Sequence, residues 1–182
     1  NAGIDAKLHS LGFQLITLDP PAATNLGTLV NGVEASGTVA VGAGETKWFK
    51  FTLADTINAT FNRALELDTE GSAAGDTSLA LFSSSGTRVA FDFLDGTDSF
   101  GTLSFGSDNR PAPGNGLAYN GRDGATVASG EYYVAVTAGD TGVTYQPGLF
   151  GVTNTSTLAG DVTLRARYFD PGAVAPTAEN LG

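Results

Sequence analysis

The chain has no cysteine, no methionine and a single histidine, and its nine basic residues are outnumbered by nineteen acids over 182 positions. Without cysteine there is no disulfide framework, no thiolate metal site and no cysteine nucleophile. Without methionine the initiator is gone, so a processed chain is expected, secreted or held at the cell surface after signal-peptide removal. The lone His9 sits near the chain start, and a Ser-His-Asp device needs a histidine that is held and oriented. A non-enzyme is therefore expected. The basic residues are scattered and form no stripe that would neutralise phosphates, which argues against a nucleic-acid partner. No apolar run approaches the ~18 residues of a membrane-spanning helix.

What is abundant is glycine, 25 residues, placed between short apolar runs rather than in a periodic repeat. Short apolar segments punctuated by glycine are the mark of an all-β chain. Asn31-Gly32, Asp95-Gly96, Asn115-Gly116, Asn120-Gly121 and Asp123-Gly124 supply turn chemistry. Strands are expected at Leu11–Leu18, Thr38–Val41, Thr46–Leu53, Ser78–Phe82, Thr87–Phe93, Phe100–Phe105, Glu131–Thr137, Val143–Tyr145 and Val162–Phe169. Ile57–Leu67 reads as a strand only with a slip near Asn62–Arg63 that changes the buried face. The spacing predicts an all-β, two-sheet antiparallel β-sandwich, jelly-roll-like, of about ten strands. Three parts are expected: an N-terminal extension over 1–45 with one or two strands, a sandwich over 46–170, and a polar tail over 171–182.

Four pieces occur in order along this scaffold. They are the aromatic strand Lys47-Trp48-Phe49-Lys50-Phe51, the run Asp76-Thr77-Ser78-Leu79-Ala80-Leu81-Phe82 with the acidic turn at Asp92–Asp98, the strand Gly130-Glu131-Tyr132-Tyr133-Val134-Ala135-Val136, and the closing strand Asp161–Arg167. Together they make the stretch from Thr46 to Phe169 resemble the bacterial pre-peptidase C-terminal (PPC) domain, a β-sandwich appended to secreted peptidases. Tyr132 and Tyr133 are expected to point to opposite faces of their strand, one into the core and one over the surface.

The acids suggest calcium as a cofactor. Asp92, Asp95 and Asp98 lie within seven residues around Gly96, and Asp76 can approach from a neighbouring strand end. Calcium takes six to eight oxygens from such a loop, and the resemblance implies calcium in some relatives. The competing reading is that these acids build turns and keep sheet edges soluble. Tyr119 and Tyr145 stand beside Gly- and Pro-rich turns and are the candidate ligand-contacting aromatics. Asn58-Ala59-Thr60 and Asn154-Thr155-Ser156 match the glycosylation acceptor pattern. Leu11, Phe13, Leu15, Ile16 and Leu18 form a β-prone segment closed by Asp19-Pro20-Pro21, and strand addition to another molecule would use such an extension. The expected function is a non-catalytic structural or adhesive surface protein that self-assembles through this strand. The alternative is a calcium-dependent polysaccharide- or protein-binding accessory module of a secreted hydrolase. The expected partners are other copies of the chain, or an extracellular polysaccharide or protein.

Overall fold

The computed structural model describes residues 19–93, 99–106 and 123–172. Thirteen strands occur among them. In chain order they are β1 (Thr24–Thr28), β2 (Glu34–Val41), β3 (Lys47–Leu53), β4 (Ile57–Asn58), β5 (Ala64–Asp68), β6 (Thr77–Ser83), β7 (Arg88–Asp92), β8 (Thr102–Gly106), β9 (Thr126–Val127), β10 (Gly130–Ala138), β11 (Val143–Tyr145), β12 (Val152–Asn154) and β13 (Gly160–Phe169). A five-stranded sheet runs β1-β3-β10-β6-β7 and a four-stranded sheet runs β2-β13-β5-β8. All pairs are antiparallel except β1 with β3. The chain is a two-sheet β-sandwich with two small accessory pairs, β11-β12 and β4-β9.

Period-two alternation sorts the side chains. Phe49, Phe51 and Leu53 of β3, Leu79 and Leu81 of β6, and Tyr132, Val134 and Val136 of β10 point between the sheets. Leu65, Leu67, Leu103, Phe105, Val162 and Leu164 meet them from the four-stranded sheet. Fully burying each such side chain is worth about 1.5–3 kcal/mol, which holds the layers together without a disulfide. The strand pair β1 and β2 gives one strand to each sheet, so the sandwich includes residues 24–41. Gly37 of β2 makes this closure possible. A Cβ there would come within 2.9 Å of the Phe49 ring and 3.1 Å of Leu26.

The expected slip inside Ile57–Leu67 is a complete break. The 3-10 turn Ala59–Phe61 and Asn62, at φ 55°, separate β4 from β5, which belong to different sheets. At Gly106, φ is +93° and a Cβ would lie 2.0 Å from the Arg63 carbonyl oxygen, so the chain packs there only as glycine.

Candidate functional site

The outward face of the five-stranded sheet is the unusual part of the molecule. In most sandwiches this face is polar. Here Ala80, Phe82, Tyr133, Ala135, Val143, Tyr145 and Phe150 form a second buried cluster, with Trp48 and Phe93 packed against it. The hairpin β11-β12 lies over the sheet and supplies Val143, Tyr145 and Phe150. Phe150 is the anchor. Its ring centroid is 5.2 Å from Tyr133, 5.8 Å from Trp48 and 5.9 Å from Phe82.

The loop between β11 and β12 is pinned at both ends. Gln146 N donates to Gly151 O at 2.8 Å, and Gly151 N to Gly148 O at 3.1 Å. Phe150 N donates to Gly86 O at 3.1 Å, and Arg88 N to Pro147 O at 3.0 Å, so the loop is tied to the start of β7. The Arg88 guanidinium donates to the Tyr145 carbonyl and lies 4.4 Å above the Phe91 ring. Within this frame Leu149 and Phe150 both adopt the left-handed conformation, at φ 62° and 49°. That costs on the order of 1–2 kcal/mol per non-glycine residue. Burial of Phe150 offsets its share, whereas Leu149 is 72 % exposed and packs nothing in return. Val89 and Phe91 on β7 are exposed too. The result is an apolar rim with a rigid leucine at its tip.

The sequence-predicted residues fall elsewhere. Tyr145 is corrected from an exposed contact to a buried one. It is 3 % exposed, its hydroxyl shares a 2.9 Å hydrogen bond with Ser78, and burial pushes it up to about 12. It sits under the hairpin because β11 is one of the strands that cover the sheet. Tyr132 does enter the core, stacked on Phe51 at 5.9 Å, and Tyr133 covers the outer face, as alternation requires. Asp92 is buried and accepts a 2.8 Å hydrogen bond from Thr102 N, closing the turn between β7 and β8. Asp76 lies at the head of β6, where burial and then the neighbouring Asp140 raise its carboxyl above the ordinary range. Among the described residues no group of three or more His, Cys, Asp or Glu side chains converges in a way that would hold a metal ion. Asp95, Asp98 and Tyr119, with Leu11, Phe13, Leu15, Ile16 and Leu18, lie outside the described residues. Asn154 donates to Glu45 O at 2.6 Å and accepts from Ser156 N at 2.8 Å, so its side chain is a structural clasp.

The outward face of the four-stranded sheet carries charge instead. Asp68, fully buried, accepts from Arg167 and lies 3.7 Å from Arg165. Both arginines also reach Glu34 of β2. Below this lattice Asp170 is held under the usual carboxylate range. Burial opposes this and is the largest single influence, and it is outweighed only by the combination of the 2.8 Å bond and charge of Arg63, the Gly172 amide and the Tyr168 hydroxyl.

No family model matches the chain, and no curated protein matches it. Among solved structures it is similar to Aeromonas hydrophila PliG, described as a periplasmic lysozyme inhibitor of g-type lysozyme. That similarity has 11 % identity and a TM-score of 0.39, over 81 % of this chain and 99 % of that one. Salmonella Typhimurium PliG gives 11 % identity and a TM-score of 0.34, over 80 % and 99 %. A PliG mutant from Escherichia coli gives 10 % identity and a TM-score of 0.31, over 81 % and 99 %. These structures are described as inhibitors of a protein. None is described as a self-assembling adhesive protein or a polysaccharide-binding module, and those two expectations are corrected accordingly. Among the described residues no helix is long and apolar enough to cross a membrane.

Proposed function

We propose that this is a non-catalytic protein-binding domain acting outside the cytoplasm, and that it docks a basic protein through the rim formed by residues 146–151 and β7. One observation carries the reading: Leu149, 72 % exposed, is held in a left-handed backbone conformation by a loop whose next residue, Phe150, is locked into an aromatic box. Backbone strain kept at an exposed apolar residue stabilises nothing in the free chain, and sites of that kind cluster at ligand clamps. A preformed loop also loses little entropy on docking. The net charge of −10 selects the partner's sign and steers its approach. Three of the buried acids are engaged structurally: Asp68 with Arg167, Asp170 with Arg63, and Asp92 with Thr102 N.

A photo-crosslinking amino acid placed at position 149, with exposed Thr157 as the control position, tests this in the native compartment. The expected result is one basic partner captured from 149 and not from 157. Calorimetry with the purified pair should then show the Leu149→Asp variant binding at least about 30-fold more weakly, the cost of losing a docking hot spot. Asp tolerates the left-handed conformation, so the variant keeps its fold. Equal capture from both positions, or unchanged affinity in the variant, overturns the reading. g-type lysozyme is the first defined protein to assay.

A further inference from the structure

Among the described residues the two sheets end on four edge strands, β1, β7, β2 and β8, and three of them are blocked. β1 is short, its register slips between Asn25 and Thr28, and the Asn25 side chain takes the Gly27 amide at 2.9 Å. β7 is irregular at Val89 and the Pro147 carbonyl occupies the Arg88 amide. β8 is covered by Asp123 and Gly124, which bond Ser104 and Gly106. Among the described residues β2 has none of these devices. It pairs with β13 without a slip over eight residues, Glu34–Val41, and contains no proline, no lysine and no arginine. Natural sheets block such edges with bulges, prolines and positive charge, because an open row of amides and carbonyls is a template for another strand.

A second feature lies at the same edge. β1 begins opposite Phe49, so Lys47 and Trp48 of β3 extend past it. The gap is an open cleft of about 320 Å³ lined by Ala22, Ala23, Thr24, Val39, Lys47 and Trp48, among others. Val39 belongs to β2, so the cleft lies along the inward row of that strand.

We propose that β2 accepts an extended, basic segment of a partner protein as an added strand, with an apolar side chain of that segment seated in the cleft beside Val39 and Trp48. Eight residues at about 3.3 Å each match the length of the edge. Alternation fixes the pattern of the segment. Side chains on its inward row meet Ala35, Gly37 and Val39, so they are apolar. Those on its outward row lie along Glu34, Ser36, Thr38 and Ala40; Arg165 and Arg167 already neutralise Glu34, while Asp161 of β13 stands opposite Ala40, so the outward side chains are polar, with positive charge favoured at the Ala40 end. The net charge of −10 disfavours an acidic segment. The added strand gains main-chain hydrogen bonds for affinity and uses its alternate side chains for specificity. The β2 edge belongs to the other sheet, and although Trp48 lines the cleft and packs against Phe150, the site does not include Leu149.

A fluorescein-labelled octapeptide alternating valine and lysine tests the proposal by anisotropy. Binding in the micromolar range is expected, with new hydrogen-exchange protection confined to residues 34–41. The same peptide methylated at every second amide, which removes the bonding row, should bind at least tenfold more weakly. The double variant Ser36→Lys and Thr38→Lys places positive charge on two exposed edge positions and should weaken binding about tenfold. Its fold is checked by an unchanged circular-dichroism spectrum. The Leu149→Asp variant should bind the peptide normally, which separates failure here from failure of the rim. No binding, equal binding of the methylated peptide, or protection outside β2 overturns the proposal. So does a concentration-dependent dimer that the peptide disperses, since the occupant would then be a second copy of the chain.

Discussion

The two outward faces of this sandwich solve the same problem in opposite ways. Over the five-stranded sheet, Trp48, Phe82, Tyr133, Tyr145 and Phe150 make a dry layer capped by the hairpin β11-β12. Over the four-stranded sheet, Glu34, Asp68, Arg165 and Arg167 make an ionic lattice. The apolar solution draws on area removed from water and tolerates salt. The ionic one depends on every partner staying in place, because a buried charge left alone is costly. Among the described residues, the apolar face carries a hydrogen-bonded loop that holds an exposed leucine in a left-handed conformation.

The largest test of this contrast is removal of the anchor. Phe150→Ala should destabilise the fold by about 3 kcal/mol, the low end for a buried aromatic because the site is at the surface of its cluster. Urea unfolding measures this, and partner binding should fall with it because Leu149 loses its support. On the ionic face, Arg167→Ala should cost about 2 kcal/mol, less than the 3–5 kcal/mol of a fully orphaned buried charge, since Arg165 still stands 3.7 Å from Asp68. If the arginine change costs more than the phenylalanine change, the contrast between a packed face and a charge-balanced one is wrong.

A smaller and oppositely signed effect is expected at the tip. Leu149→Gly relieves the left-handed backbone and should raise stability by about 0.5 kcal/mol, after the extra freedom of glycine in the unfolded chain is counted. It should weaken binding at the same time. A variant both less stable and binding-competent would show that the conformation serves folding instead.

The smallest effect lies at the head of β6. Burial and Asp140 raise the Asp76 carboxyl, so its folded pKa exceeds the unfolded value near 3.8. Between the two values the folded chain binds more protons than the unfolded one, so stability from this site is full at low pH and is lost as pH rises through the folded pKa. Asp140→Asn removes the like charge. It should therefore raise the melting temperature slightly at pH 7, by less than about 1 kcal/mol in stability, and leave it unchanged at pH 3. An equal gain at both pH values would exclude the carboxylate pair as the cause.

The long strands were legible because their residues alternate against a defined interior. The expected Thr46–Leu53 and Glu131–Thr137 match β3 and β10 to within one residue at each end. β1, β9 and β12 were not legible, since two or three residues and a glycine-containing parallel strand carry too little period to detect. Tyr145 misled for a related reason. Val143–Tyr145 reads as a strand, but the turn Gln146-Pro147-Gly148 beside it suggests that Tyr145 is exposed, and only the sheet beneath reveals that β11 is a lid. The site itself left one readable trace: Leu149 and Phe150 are two large apolar residues enclosed by Gly148 and Gly151. Turn chemistry gives no reason for that pair, and the reason appears only when Phe150 is seen in its aromatic box. The charged face was hidden because Arg165 and Arg167 meet Glu34 from more than a hundred positions away.

That distance has a temporal meaning. β13 occupies the middle of its sheet, with β2 on one side and β5 on the other, and its Gly160–Arg167 stretch zips against Val41–Glu34. The four-stranded sheet therefore has no way to assemble until the late stretch 160–169 has emerged, and pairings so remote in sequence make folding slow. Until that stretch is in place, the four-stranded layer exists only as separate pieces, and the two layers cannot close over one interior.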